Sequence, residues 1–259
     1  MIRLIRAAGI VLVLAVCQRT QGQAPAAQSP EFNAGPFQIT GLIDVYGSLN
    51  FNHPESRVNQ LRNFDVKANQ FSLNMAKLTL EHAPDPIGLR VDFGAGRTFD
   101  MMHASESGPS VFQNIEQAFL SYRPEKGKGF QVDFGKFVTS AGAEVIETYP
   151  NWNYSRSLLF ALALPYYHFG VRATLPQVGP VTAGVQLVNG WNNVEDNNSG
   201  KTIGLTAAID AGRVSWFNNY YTGVEASEPG AGRRHLYDTT VLATLNSRTS
   251  AYLNFDYGV

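Results

Sequence analysis

The chain has 259 residues, enough for one large all-β domain or two smaller ones, and its formal net charge of −1 gives no electrostatic reason to expect nucleic acid or an anionic surface as partner. Only 16% of the residues are charged, below the figure of about 25% usual for soluble domains, while aromatics reach 12%. A mean hydropathy of −0.14 is too polar for a helical membrane protein.

The first residues read as an export signal. Arg3 and Arg6 form a basic start, Ala7 to Val16 form an apolar core, and Gly22-Gln23-Ala24 offers a small-x-small cleavage site, so 1–24 is read as a signal peptide. The core is too short to span a bilayer as a helix. The longest apolar run elsewhere, Leu158 to Leu164, stops at Pro165. Cys17 closes the signal core. A lipid-attachment reading has Leu14-Ala15 in its favour, but Val16 is not the small residue that acylation needs, and an ordinary signal residue is the preferred reading. Cleavage then leaves no thiol for disulfides or metals. Residues 25–36 are rich in Pro, Ala and Gly and read as a disordered leader.

From Phe37 the pattern changes to period two. Phe37, Ile39, Ile43, Val45, Leu49 and Phe51 occupy odd positions with Gly41 and Gly47, and Gln38, Thr40, Asp44, Tyr46, Ser48 and Asn50 occupy even ones, with Leu42 the one exception. A helix would distribute them at 3.6 residues per turn, so a strand of about fifteen residues is expected. The alternation recurs at 87–95, 130–135, 166–175, 181–187, 203–209 and 251–257, more weakly at 117–122, 214–221 and 237–245. In Phe71 to Leu80 the apolar positions switch from odd to even around Met75 to Lys77, which reads as a β-bulge or a misplaced boundary. About eleven strands result.

The connections alternate between short turns (84–86, 124–127, 176–180, 211–213, 246–248) and long polar loops (52–68, 98–113, 138–164, 190–200, 224–235). That rhythm is what an up-and-down outer-membrane barrel needs, with tight periplasmic turns and long external loops. A secreted β-sandwich would also alternate, but here the polar face carries charge and Gly in mid-strand and the apolar face sets aromatics near strand ends. The expected fold is therefore an all-β, up-and-down antiparallel transmembrane β-barrel over 37–259, reached by export through the inner membrane.

Stretches along the whole of that region carry a likeness: VNQLRNFD (58–65), FSLNMAKLTLE (71–81), DPIGLRVDFGAGRT (85–98), NIEQAFLSY (114–122), DFGKFVTSAGAEVIE (133–147), NWNYSRSLLF (151–160), PYYHFGVRA (165–173) and LVNGWNNVEDNNSGKTIG (187–204). Together they resemble the β-barrel porin-2 (OmpL-like) family of Gram-negative bacteria. The resemblance implies an outer-membrane barrel and passive solute passage, and brings no catalytic residues. Single-chain bacterial barrels have even strand numbers, and the final Asp256-Tyr257-Gly258-Val259 lacks the aromatic terminus usual in such barrels. The chain is accordingly read as a fragment lacking C-terminal strands of a larger even-stranded barrel.

Strand parity nominates Asp44, Arg90, Asp92, Asp133, His168, Arg172 and Asp210 as pore-lining, with Asp238 and Asp256 beside them. Arg90 and Arg172 are the firmest, because Arg facing lipid at the midplane costs about 2–4 kcal/mol. Charges that merely solvate a lumen would show the same parity. The segment 138–164 is the longest connection, and SLLFALALP gives it helical character. It reads either as a constriction loop folded inward or as an external loop over the rim. In the first reading Lys136, Glu144, Glu147 and Arg156 help set the narrowest point.

VEDNNSG (194–200) lacks the spacing of a calcium loop, the five histidines lack partners at metal spacing, and GxSxG, P-loop and strand–helix GxGxxG motifs are missing. GAGR (94–97) is read as lying within a strand, its glycines making room in the lumen. The leading expectation is a non-enzymatic channel, without cofactor, for passive diffusion of small hydrophilic solutes. Its partners would be outer-membrane lipid and those solutes, without nucleic acid, and homo-oligomers are common among such channels. The competing expectation is a closed structural or surface-interaction barrel acting through its external loops. A membrane-embedded hydrolase has no supporting constellation of residues.

Overall fold

A computed structural model describes residues 8–11, 32–106, 108–226 and 232–259. Among these residues thirteen strands form one antiparallel sheet in which chain neighbours pair from β2 through β13. Two are short: β1 (Ala8–Val11) lies on the free edge of the last strand, and β2 (Phe32–Ala34) lies on the edge of β3. The other eleven are β3 (Phe37–Ser48), β4 (Gln70–His82), β5 (Ile87–Ala95), β6 (Ile115–Tyr122), β7 (Gln131–Val138), β8 (Tyr167–Thr174), β9 (Val181–Val188), β10 (Thr202–Asp210), β11 (Val214–Val224), β12 (Arg233–Asn246) and β13 (Thr249–Gly258). They match the strand number and the alternation of short and long connections read from the sequence.

Most of the 1–24 signal reading, and residues 25–31 of the leader, fall outside the described residues. Of the remaining leader, Phe32–Ala34 pairs with Ile39, Gln38 and Phe37 rather than standing free. β3 ends at Ser48, earlier than the expected Phe51, and Asn50, Phe51 and Asn52 already belong to a turn. The sheet is open: β13 and β3 do not pair with each other. Among the described residues no helix is long and apolar enough to cross a membrane.

The sheet is inside-out relative to a water-soluble protein. On β3, Ile43 and Val45 are 77% and 65% exposed while Asp44 between them is buried. On β5, Phe93 is exposed beside buried Asp92; on β9 and β10, Val185, Leu187, Ile203 and Leu205 are exposed beside buried Gln186 and Thr202. Pleating sends successive side chains to opposite faces. An outward apolar band and a polar interior are the arrangement a bilayer selects, since every unpaired polar group in hydrocarbon costs several kcal/mol.

The parity switch in β4 is a bulge. Asp44 pairs with Met75 and Val45 with Leu73, leaving Asn74 as an extra residue. Phe71 and Leu73 face outward before it, Leu78 after it, and Asn74 and Met75 are both buried at it. A second bulge in β6, between Asp92–Gln117 and Phe93–Ile115, adds Glu116.

Apolar side chains from the long connections meet at one end of the sheet. Phe64, Phe99, Met102, Ile146, Phe160 and Leu164 pack with Met75, Tyr167, Tyr221 and Leu236 of the strands. Two short helices sit in these connections, α1 (Arg97–Met102) and α2 (Leu158–Leu162), the second where SLLFALALP is expected to be helical. The GAGR stretch straddles an element boundary, because β5 ends at Ala95 and Gly96 caps α1. Its Gly94 does make room, but for the backbone of β4 and the ring of Phe99: a Cβ there would collide with Ala76 O and lie 2.7 Å from Phe99 Cζ.

Candidate pore and its inner segment

Both bulges deliver a polar side chain to the interior. The Asn74 amide donates to Asp44 at 2.7 Å and accepts from the Thr98 hydroxyl at 3.1 Å. Glu116 accepts from Lys77 Nζ at 2.6 Å, and Asp92 Oδ2 lies 3.9 Å from the same nitrogen. Bulges add a residue without moving the rest of the strand to the wrong face, so each gains an interior group while the lipid-facing row stays apolar.

The parity-selected residues are distributed along the inner wall. Asp92 is fully buried, bound by Gln117 at 2.7 Å and by Arg90, which also reaches Glu81 at 3.0 Å. Asp133 accepts from Ser121 at 2.6 Å, Gln131 at 2.7 Å and Arg172 at 2.8 Å. The Arg172 guanidinium lies over the rings of Phe119 and Phe137, at 5.1 and 4.5 Å. His168 is fully buried, with Nδ1 3.0 Å from Gly190 O and its ring stacked on Tyr221. Asp210 is different: it ends β10 exposed, accepts from Gly212 N at 3.0 Å, and so serves the turn rather than the middle of the wall. Asp238 and Asp256 are buried and directly opposed across β12 and β13, both near Asn254.

The segment 139–166, between β7 and β8, folds to the inside and touches walls far apart in the sheet. Ser140 donates to Asn219 at 2.8 Å and lies 2.9 Å from Tyr221 Oη, both on β11. Ala143 N donates to Asn254 Oδ1 at 3.4 Å, and Trp152 meets Tyr252 edge-on with 4.7 Å between ring centroids, both on β13. At the other end of the sheet, Thr148 and Tyr154 donate to Asp44 on β3 at 3.1 and 2.9 Å, and Glu147 pairs with Lys77 on β4.

The four constriction candidates do not converge. Glu147 alone crosses to a charged group on the wall. Glu144 binds Ser157 N at 2.9 Å, and Ser157 caps α2 by accepting from Phe160 N at 3.3 Å. Arg156 donates to the carbonyls of Tyr154 at 2.7 Å, Val145 at 3.2 Å and Ile146, and lies over the Phe64 ring. Burial pushes the Arg156 pKa down, against the pull of Asp44 and Glu144. Lys136 belongs to another neighbourhood: Gly135, with φ of +139°, interrupts the alternation of β7, and Lys136 is buried against Glu106 at 3.6 Å and the Tyr167 ring. His103 Nε2 is 3.0 Å from its Nζ. Burial and that ammonium push the His103 pKa down to about 4, so the ring is neutral and accepts the Lys136 proton donor.

Two cavities lie side by side between the inner segment and the sheet. One, of about 180 Å³, is walled by Ser140 and by Thr174, Thr182, Thr206 and Ala208, whose small side chains leave space. The other, of about 230 Å³, is walled by Trp152, Leu242 and Tyr252, and Phe217 borders both. Sequence reading missed Asn74, Lys77, Glu116 and Trp152 as interior groups. Lys77 was recoverable, since the parity switch that marks the bulge also turns it inward. Glu116 was not, because its placement depends on a register shift against β5.

Among the described residues no three His, Cys, Asp or Glu side chains are grouped to hold a metal. No curated protein is significantly similar to the chain. The family described as "Putative beta-barrel porin-2, OmpL-like" matches residues 36–259, nearly all of the sheet. The chain belongs to that family of outer-membrane β-barrel porins.

Proposed function

We propose that the protein is a passive diffusion channel for small hydrophilic solutes, narrowed from within by segment 139–166. The observation that carries this reading is the course of that segment, which contacts β3 and β4 on one side of the interior and β11 and β13 on the other. A loop so placed leaves a path only where its own side chains and the small residues of β8 to β10 allow one, and the two cavities bordering Phe217 support this reading. Its mixed walls, with Thr174, Thr182 and Thr206 beside one cavity and Phe217 and Tyr252 beside the other, support weak, multi-site contact with a hydrated solute, which conduction requires. In this reading the short turns lie in the periplasm, the long connections lie outside, and export precedes assembly in the outer membrane.

The apolar cluster at the long-connection end favours a second reading, a closed barrel that acts through its outer surface. Planar-bilayer recording of the purified full-length protein separates the two. Stable conductance steps that enlarge when 140–160 is deleted support the channel. Folded barrels without conductance overturn it in favour of the closed form, and conductance unchanged by the deletion overturns the assignment of the constriction.

A further inference from the structure

The inner wall of β11 to β13 carries an apolar set that neither the lipid face nor the outer-end cluster uses. Phe217 and Leu242 face the interior, Tyr252 pairs with Leu242 across β12 and β13, and Trp152 meets Tyr252 from the inner segment. Phe217 is 42% and Trp152 38% exposed there, a large wet apolar surface inside an otherwise polar lumen. The same cavity is walled by Glu144 and by Thr240, whose buried Oγ1 has no hydrogen-bond partner among the described residues. Folded proteins leave few such groups unsatisfied.

We infer that this cavity is a solute subsite for one neutral, hydroxyl-bearing ring of monosaccharide size. The inference rests on the channel reading above and names the solute class that the channel favours. A pyranose has apolar C–H faces and a polar rim of hydroxyls. Aromatic walls at Trp152, Tyr252 and Phe217 suit the faces, and the unpartnered Thr240 hydroxyl suits the rim. The volume of about 230 Å³ lies below the range of about 300–1,000 Å³ typical of drug-sized pockets, which selects a single ring. Glu144, with Asp238 and Asp256 on the same wall, disfavours anionic sugars.

The test is a titration of the detergent-folded, full-length protein with D-glucose and with D-glucuronate, followed by tryptophan fluorescence and calorimetry. Saturable millimolar glucose binding is expected, at least tenfold weaker for glucuronate. Trp152→Ala should weaken glucose binding at least tenfold, whereas Trp216→Ala on the outer face should leave it unchanged. If Trp152→Ala does not fold, Thr240→Val reads the same loss from the opposite wall. Absence of a saturable glucose response in folded protein overturns the subsite, as does glucuronate binding as tightly as glucose or a response untouched by both wall variants. Conductance is scored separately, so loss of the channel reading and loss of the subsite are distinguishable.

Discussion

Lys77 Nζ lies 2.6 Å from the carboxylate of Glu116, a residue that reaches the interior only because β6 bulges. Both side chains are almost fully buried, and Asp92 and Glu147 share the same ammonium. Removing one partner of such a group leaves charge uncompensated, which typically costs about 3–5 kcal/mol. Lys77→Met should therefore lower the urea midpoint of the folded protein sharply. The double variant Lys77→Met/Glu116→Gln should recover part of the loss, and strictly additive losses would refute the coupling.

Charge balance along the inner wall predicts selectivity. Asp44, Asp92, Glu116, Asp133, Glu147, Asp238 and Asp256 outnumber Lys77, Arg90, Lys136 and Arg172 on the interior side, even when the opposed Asp238 and Asp256 share one proton. A wall of that sign attracts cations. The reversal potential across a KCl gradient should show K⁺ favoured over Cl⁻, and Glu147→Gln should reduce the preference. Anion preference would be incompatible with this wall.

His103 sets a pH response. Its pKa is held down to about 4 by burial and by Lys136, against about 6.5 in an unfolded chain. Above pH 6.5 the ring is neutral in both states and folding is unaffected. Between pH 6.5 and 4 the unfolded chain takes up a proton that the folded protein refuses, so stability falls as pH falls, by at most about 3 kcal/mol. His103→Gln keeps an acceptor for Lys136 and should flatten that dependence. Equal slopes for both proteins in denaturant titrations at pH 7.5, 5.5 and 4.5 would count against it.

Orientation of the strands is testable by paired substitutions on one strand. Leu205 and Thr206 are adjacent on β10, the first exposed on the outer face and the second lining a cavity. Leu205→Arg should destabilise the protein in lipid by about 2–4 kcal/mol, while Thr206→Arg should fold and change conductance instead. The reverse pattern would mean that the faces are exchanged.

The inner course of 139–166 can be locked. Ala143 N and Asn254 Oδ1 are 3.4 Å apart, and the only native cysteine is Cys17. An Ala143→Cys/Asn254→Cys pair should cross-link readily under mild oxidation and shift migration on a non-reducing gel. A segment arched over the outside would leave both thiols free.

The strands were legible because two faces meet two solvents, and period two records that in every strand, as in Ile43, Asp44 and Val45. Loop rhythm was legible for a related reason: Pro, Gly and Asn mark turns too tight for other residues. What the sequence concealed lies in side-chain reach. Asp210 has the same parity as a lumen residue, yet it lies at a strand end, where its carboxylate finds a turn amide first. Glu144 and Arg156 looked available because loop charges carry no periodicity, and they proved to be bound to Ser157 and to backbone carbonyls within their own segment. Gly94 suggested empty lumen, whereas the ring of Phe99 occupies the space beside it.

The inner segment has one mechanical implication. In a closed barrel the rim of hydrogen bonds fixes the diameter, and whatever lies inside conforms to it. Here β13 and β3 do not meet, yet Asn254 and Asp44, on those two strands, are both tied to the same stretch of chain. The segment acts as a spoke: it ties the wall of Asp44 and the wall of Asn254 to one hub.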